Sequence, residues 1–124
     1  MSKVYSQHEK DPDAVRFGQR LAYIREVLGS VLGVNPYCRA LTKKNMCNNF
    51  FHMNYDQYKK VESGKQVVGI TYIKMICKLQ TLGVDMQDMF DDIPNWEKVI
   101  KDKIINKRSK NLTQFSEIVC AIET

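Results

Sequence analysis

The sequence predicts an all-α protein with a single main domain. Apolar residues recur at spacings of three and four along most of the chain, which is the period of an amphipathic helix. Residues that cap helix starts, and glycines that end helices, flank these periodic stretches. The chain shows neither the alternating pattern expected of a strand nor a repeated segment. Its 124 residues suffice for one domain with a hydrophobic core but not for two of ordinary size.

The first helix is expected to begin at Ala14, after a stop formed by residues 11–13. Its inward face consists of apolar residues with helical spacing: Val15, Phe17, Leu21, Ile24 and Leu28. Its other faces carry three arginines: Arg16, Arg20 and Arg25. Gly29 is a candidate stop for the helix, and the alternative is that the helix continues for one more turn before a loop. Residues 30–40 follow as an insertion that contains helix breakers and to which we assign no role: Gly33, Asn35 and Pro36.

Thr42 is expected to cap a second, short helix whose inward face is apolar: Met46, Cys47 and Phe50. Lys43 and Lys44 stand in the first turn of this helix, where positive charge opposes the helix dipole. Two explanations of these lysines stay open. Exposed lysines are tolerated at most surface positions, or an anion such as a phosphate docks at the helix start.

The stretch 54–65, NYDQYKKVESGK, predicts a third helix. Asn54 is a favourable N-cap, Tyr58 and Val61 share an inward face, and Gly64 supplies the left-handed residue that ends the helix. The remaining faces carry side chains that donate or accept hydrogen bonds: Tyr55, Asp56, Gln57, Lys59 and Lys60. This pattern alone describes a solvated surface helix as readily as a binding helix.

Three more helical segments are expected after Gly64. An apolar helix contains Ile70, Ile73, Ile76, Cys77 and Leu79 and ends at Gly83. A further turn is capped by Asp85 and fills the core with three side chains: Met86, Met89 and Phe90. Asn95 then caps a helix with an apolar stripe: Trp96, Val99, Ile100 and Ile104.

A basic connector, 106–110, and a last amphipathic segment complete the chain. Thr113 is expected to start that segment, whose apolar positions share one face: Leu112, Phe115, Ile118, Val119 and Ile122. We therefore expect a main domain at 14–92 and a helical C-terminal extension at 93–124. The two apolar stripes of the extension either enlarge the core of their own domain or pair with a second copy.

Charge and composition narrow the classes of function. Nineteen basic and fourteen acidic residues give a net charge of +5, which suits a polyanionic partner without requiring one. The N-terminus lacks the apolar core of a signal peptide, and no run is long enough to span a bilayer, so we expect a cytoplasmic protein with no membrane partner.

The cysteines give no sign of a metal site. None of the four stands in a CxxC pair, and Cys47, Cys77 and Cys120 lie in apolar helical patterns, where a thiol behaves as a small hydrophobe. We expect no metal and no cofactor. The chain has no catalytic triad, paired carboxylates or glycine-rich phosphate loop, so we expect no enzyme activity.

Four stretches occur in an order typical of one DNA-binding family: FGQRLAYIRE, LTKKNMCNNF, NYDQYKKVESGK and ITYIKMICKLQTLGVDMQDMF. Over residues 17–90 the sequence resembles the Cro/C1-type helix-turn-helix family, also called the xenobiotic-response-element family. The most specific parts are VESGK at the end of the third helix and LGVD after the fourth. The resemblance implies a five-helix, lambda-repressor-like domain. Its third helix, about 54–63, would enter the major groove while the second bridges the backbone.

The resemblance also implies roles for individual residues. Four positions of the third helix fall where the family reads base edges: Tyr55, Asp56, Gln57 and Lys60. Five positions are assigned to phosphate contacts, by the family pattern or by the helix start: Lys43, Lys44, Asn54, Ser63 and Lys65. Arg25 and Glu62 fall where many members form a buried ion pair.

The sequence departs from the family pattern in two places. Residues 30–40 insert roughly ten residues between the first two helices, where connections are usually short. The turn before Asn54 is also longer. Asp56 at a base-reading position would repel phosphate, although a carboxylate can accept a hydrogen bond from cytosine N4. These departures bear on the base contacts rather than on the fold.

The expected function is sequence-specific transcription regulation. The protein would bind double-stranded DNA as a homodimer on a near-palindromic operator. Whether it represses or activates, and whether a small-molecule effector exists, stays open. The alternative is a protein-interaction module or antitoxin-like partner on the same fold, which the residues beyond the DNA-binding domain favour.

Overall fold

The computed structural model describes residues 11–31 and 41–110, and every regular element within them is helical. We number six α-helices in these ranges: α1 (Pro12–Glu26), α2 (Lys43–Asn45), α3 (Tyr55–Glu62), α4 (Gly69–Leu79), α5 (Met86–Phe90) and α6 (Trp96–Lys110). π-Helical turns continue α1 and α2, at Val27–Val31 and Met46–Phe51, and a 3-10 turn, Gln80–Leu82, continues α4. The predicted all-α class is confirmed. Most of the insertion, the last amphipathic segment, Cys38 and Cys120 lie outside the described residues.

The start of α1 corrects the prediction that residues 11–13 form a stop. The helix begins at Pro12, and the Asp11 side chain accepts a hydrogen bond from the backbone N–H of Asp13 at 2.8 Å. Proline suits this position because its fixed φ is helical and its missing N–H would have no partner there. Gly29 does not end the helix either. Val27 and Leu28 are buried in the core, and this packing outweighs the low helix propensity of glycine.

The capping residues of α2 and α3 are the ones predicted. The Thr42 side chain accepts from the backbone N–H of Asn45, and the Asn54 side chain accepts from that of Gln57, both at 3.1 Å. Asp85 and Asp88 form a reciprocal capping box at the start of α5. The left-handed stops also stand where they were predicted: Gly64 at φ 87° and Gly83 at φ 93°.

One core connects the described helices, and α2 contributes to it through the π-helical turn that continues it. Its fully buried side chains include Phe17, Leu21 and Ile24 of α1, Tyr58 and Val61 of α3, Leu79 and Met89. The sequence predicted that α4 is apolar without assigning its inward face. In the structure Ile70, Ile73 and Cys77 are exposed, while Met75, Ile76 and Leu79 are buried. Helix α4 is apolar on more than one face, so hydrophobic period alone does not identify its inward side.

Helix α6 packs into the same core as the residues before it. Ile100 and Ile104 are fully buried, and the Trp96 ring meets the Tyr23 ring edge-on at 5.4 Å. The Lys103 ammonium lies 2.8 Å from the buried Asp88 carboxylate. The predicted basic connector at 106–110 is wrong, because the helix continues through it to residue 110. The first apolar stripe of the expected extension therefore serves its own domain.

Two arginines of α1 hold the end of α5. The guanidinium of Arg16 donates to the carbonyl oxygen of Phe90 at 2.9 Å. That of Arg20 donates to the carbonyls of Asp88 at 2.9 Å and Asp91 at 2.6 Å. A cation satisfies carbonyls that a helix end leaves unpaired. Arg20 is buried rather than outward-facing as predicted, and burial lowers the pKa of its guanidinium.

Candidate nucleic-acid interface

Helix α3 is held at its back by close packing against α1. A Cβ placed on Gly18 would lie 2.6 Å from the carbonyl oxygen of Val61 and 2.7 Å from that of Glu62. The two backbones therefore meet where a side chain would not fit. Tyr58 and Val61 are fully buried on the same side of α3. This contact fixes which face of α3 points outward.

A buried ion pair ties α3 to α1. Glu62 accepts from Nε of Arg25 at 3.1 Å and from Nη2 at 2.8 Å, and its side chain is only 4% exposed. Burial alone would lower the pKa of Arg25, but the hydrogen bond and charge of Glu62 raise it overall. The same guanidinium also donates to the carbonyl oxygen of Leu41, immediately before α2. One arginine thus links α1, α3 and the approach to α2.

Tyr58 completes this network from inside the core. Its hydroxyl donates to Oε2 of Glu62 at 2.7 Å. Burial and the neighbouring carboxylate raise the pKa of the Tyr58 phenol far above its ordinary value. The phenol therefore stays protonated and remains a donor. Glu62 receives three hydrogen bonds from side chains in the described part of the chain, which satisfies a carboxylate that water hardly reaches.

Lys43 lies between this network and solvent. Its ammonium is 4.0 Å from Oε1 of Glu62, and its side chain is 44% exposed. The lysine therefore contributes charge to the surface while one side of it faces a carboxylate. The sequence left Lys43 either as a tolerated surface lysine or as a phosphate contact, and the structure adds the Glu62 carboxylate as a neighbour.

The outward side of α3 borders a shallow depression of about 490 Å³, which we call the basic groove. Its lining combines four lysines, a serine and one aspartate: Lys43, Asp56, Lys59, Lys60, Ser63 and Lys65. These residues come from the start of α2, the outer face of α3 and the segment after it. A concave surface with this excess of positive charge attracts polyanions.

Tyr55 and Asp56 are less free than the sequence suggested. The Tyr55 ring lies near two ammonium groups, that of Lys59 at 4.9 Å and that of Lys44 at 5.9 Å from its centroid. The Lys59 ammonium is also 3.7 Å from the carboxylate of Asp56. Asp56 therefore has a positive neighbour, which reduces the repulsion that it would exert on a phosphate.

A second depression, the polar cleft, lies on another side of α3. It has a volume of about 250 Å³ and is lined by His52, Asn54, Gln57, Thr71 and Lys74 with three apolar residues: Phe51, Met53 and Met75. Among the described residues, no donor reaches the buried Oε1 of Gln57. His52 has a φ of 54°, a left-handed conformation that costs a non-glycine residue roughly 1 kcal/mol.

The predicted DNA-contact residues thus fall into three groups. Lys43, Asp56, Lys60, Ser63 and Lys65 share the basic groove, whereas Asn54 and Gln57 border the polar cleft. Tyr55 and Lys44 form a third group, in which the lysine ammonium lies over the tyrosine ring. Two of the predicted phosphate contacts already have internal roles. The side-chain oxygen of Asn54 caps α3, and the Ser63 hydroxyl donates to the carbonyl of Lys60 at 3.0 Å.

Four residues near the interface had no predicted role in the site: His52, Lys59, Thr71 and Lys74. Lys59 could have been found, because it adjoins Lys60 and helical geometry places both near Asp56. Thr71 and Lys74 belong to α4, and no local pattern links them to α3. Their proximity depends on how the two helices pack.

No three His, Cys, Asp or Glu side chains within 11–31 and 41–110 lie close enough together to hold a metal ion. Over the same residues, no helix has both the length and the apolar character to cross a membrane. Comparison of the chain with protein-family models, curated proteins and solved structures finds no match.

Proposed function

We propose that this protein is a sequence-specific transcription regulator that binds double-stranded DNA through α3, on a lambda-repressor-like fold of the Cro/C1 type. The observation that carries the proposal is the basic groove along the outer face of α3. Its lysines come from both ends of the α2–α3 unit, as expected for a helix flanked by two phosphate backbones. An α-helix with its side chains is about 10–12 Å in diameter, which matches the width of the major groove, so α3 can enter it.

The exposed side chains of α3 have the chemistry to read base edges. Lys60 can donate to O6 and N7 of guanine, and Asp56 can accept from N4 of cytosine. Gln57 borders the polar cleft and carries an amide of the kind that pairs with N6 and N7 of adenine, a contact that requires its buried carbonyl oxygen to turn outward. Tyr55 offers an aromatic edge for a thymine methyl group. These assignments make α3 the source of sequence preference.

The flanking residues would position the helix on the duplex. Lys43, Lys44 and Lys65 supply positive charge on either side of α3, which suits contacts to phosphate oxygens. Ser63 and Asn54 would assist from the two ends of α3. Such contacts set affinity for any sequence, and the base contacts set the preference among sequences.

A homodimer would place two copies of α3 in successive major grooves, about 34 Å apart, on a near-palindromic operator. This arrangement is part of the proposal because a single short helix reads too few base pairs for a specific site. Sedimentation of the complex with a selected duplex gives the number of protein chains per duplex.

The test is a fluorescence-anisotropy titration with selected and scrambled duplexes at several salt concentrations. The proposal expects tighter binding to the selected duplex, with affinity for both falling as salt rises because bound counterions are released. Equal affinity for both duplexes at every salt concentration would remove the sequence-specific part. The absence of any salt dependence would remove the assignment of the groove to phosphate.

A protein-interaction module is the second candidate, and one observation favours it. Val68, Ile70 and Ile73 are large apolar residues that are more than half exposed at and before the start of α4. Exposed apolar clusters of this kind are common at protein contacts. An interaction module would keep its partner affinity when Lys43 and Lys60 are both changed to alanine, whereas the DNA-binding function would lose affinity.

A further inference from the structure

Helix α4 carries an exposed apolar face, which we call the α4 stripe. It comprises Ile70, Ile73 and Cys77, with Val68 just before the helix. Ile70 and Ile73 are 55% and 53% exposed, and Val68 is 66% exposed. Helical spacing places Ile70, Ile73 and Cys77 along one side of α4. Within the described residues, nothing covers this side.

We propose that the α4 stripe is the docking site of residues 111–124 of the same chain. This inference is independent of the proposed DNA binding. It rests on four properties of the molecule: the position where α6 ends, the length of chain that follows, the apolar period of that chain and its charge.

The end of α6 lies near one end of α4. A Cβ on Gly83 would be 3.1 Å from the Cβ of Lys107. Gly83 ends the 3-10 turn that continues α4, so the last turns of α6 pass beside that end of α4. Cys77 precedes Gly83 by about 10 Å along the helix axis. The residues from Lys110 to Phe115 can span up to about 16 Å, so Phe115 can reach the level of Cys77.

The segment matches the stripe in length and pattern. Phe115, Ile118, Val119 and Ile122 would share one side of a helix. In helical conformation, Phe115 to Ile122 spans about 10 Å, which equals the distance from Ile70 to Cys77 along α4. A helix with one such face is stable only when that face is covered, and the α4 stripe has the same requirement.

The charges are also complementary. Residues 111–124 contain Glu117 and Glu123 and no lysine or arginine, whereas α4 contains Lys74 and Lys78 and no acidic residue. Both lysines are exposed and adjoin the stripe. Lys74 also lines the polar cleft, so the docked segment would lie beside α3.

The test measures the reactivity of Cys77 with a small thiol reagent in the full chain carrying Cys38→Ser and Cys120→Ser. Cys47 is buried in the core and serves as the slow internal reference. The proposal expects Cys77 to react at least about tenfold more slowly in the native protein than in urea, because reactivity follows access to the thiol.

Two double variants test whether the apolar side of residues 111–124 is what protects Cys77. Phe115→Glu with Ile122→Glu places charge on the apolar side and should raise the Cys77 rate towards that of an open thiol. Thr113→Glu with Thr124→Glu adds the same charge on the opposite side and should leave the rate unchanged. Far-UV circular dichroism and sedimentation accompany each measurement, and both variants should keep the helix content and the oligomeric state of the parent protein.

Three results would overturn the proposal. One is native Cys77 that reacts as fast as in urea, a result that does not depend on any tail variant. Another is equal acceleration by both double variants. The third is protection that disappears on dilution together with a fall in sedimentation coefficient, which would assign the stripe to a second copy.

Discussion

Replacing Glu62 with glutamine tests the network that positions α3. The carboxylate is 4% exposed and receives hydrogen bonds from Arg25 and from the Tyr58 hydroxyl. Glutamine keeps the size of the side chain, but its amide nitrogen must face one of these donors. The Arg25 guanidinium, 17% exposed, then loses its counter-charge while it stays largely buried.

The expected loss is large because the partner charge remains behind. Removing one member of a buried pair costs about 3–5 kcal/mol in the free energy of unfolding. For a domain of this size, that loss corresponds to a fall in Tm of roughly 10–20 °C. Differential scanning calorimetry and urea titration give the two quantities independently.

Asp102→Asn is the matched control, since it makes the same carboxylate-to-amide change in an exposed pair. Lys98 and Asp102 are joined at 2.8 Å, but their side chains are 75% and 59% exposed. Water screens such a pair, so Tm should hardly change. If Glu62→Gln melts within about 2 °C of the parent protein, burial is not what gives the Arg25 pair its energy.

A double-mutant cycle separates the pair from its surroundings. Arg25→Met and Glu62→Leu together remove both charges, so no unpaired ion stays in the core. The double variant should be more stable than the sum of the single losses predicts, with a coupling of roughly 1–3 kcal/mol. Additive losses would mean that the two side chains act separately.

The remaining predictions concern packing, titration, DNA contacts and domain limits. Gly18→Ala should lower stability by about 1–3 kcal/mol in urea titration, because the new methyl group meets the α3 backbone at 2.6 Å. The raised pKa of Tyr58 means that its contribution is complete below the unfolded value, about 10, and is lost as pH rises above it. Tyr58→Phe should therefore lessen the alkaline fall in stability by up to about 1.4 kcal/mol per pH unit. In DNA titrations, Lys43→Ala should weaken binding to all sequences and reduce the salt slope by about one, whereas Lys60→Ala should cost about 1–3 kcal/mol on the preferred sequence alone. Truncation after Asp92 should unfold the protein, as judged by circular dichroism, because it removes the fully buried side chains of α6.

Each of these expectations has a result that contradicts it. An alanine at position 18 that leaves stability unchanged would mean that α1 and α3 can separate without cost. An unchanged alkaline slope in the Tyr58 variant would assign that slope to other groups, such as Cys47, whose pKa burial also raises. Equal losses for the two lysine variants on all sequences would reject their separate roles, and a folded truncated chain would show that α6 is dispensable.

Local chemistry made the caps of α2 and α3 predictable from the sequence. Thr42 and Asn54 each act within three residues of their own position, and the left-handed glycines need only their own backbone. The inward face of α4 was not predictable in this way, because both of its sides are apolar. The core selects Met75 and Ile76 over Ile70 and Ile73 through contacts with other helices, and hydrophobic period holds no information about these contacts.

The candidate interface likewise combines features that local sequence predicts with features that depend on contacts between helices. The exposed polar positions of α3 follow from helical period once Tyr58 and Val61 are taken as inward. The neighbours that modify these positions come from elsewhere in the chain. Lys44 approaches the Tyr55 ring from α2, and Lys74 reaches the polar cleft from α4. The burial of Arg20 was not predicted from the sequence either. It depends on carbonyls at the end of α5, which lie about seventy residues away in the chain.

The interleaving of inward and outward positions on α3 has a consequence for specificity. Tyr58, Val61 and Glu62 hold the helix, and Asp56, Lys59 and Lys60 lie between or beside them in sequence but point to solvent. Exposed substitutions away from buried networks usually change stability by no more than about 0.5 kcal/mol. The outer face of α3 can therefore vary while the Gly18 contact and the Glu62 network keep the helix in place. A set of variants at Asp56 and Lys60 should accordingly differ in DNA preference and share one melting temperature. Variants at Tyr58 should instead have a lower melting temperature and a weaker affinity for DNA.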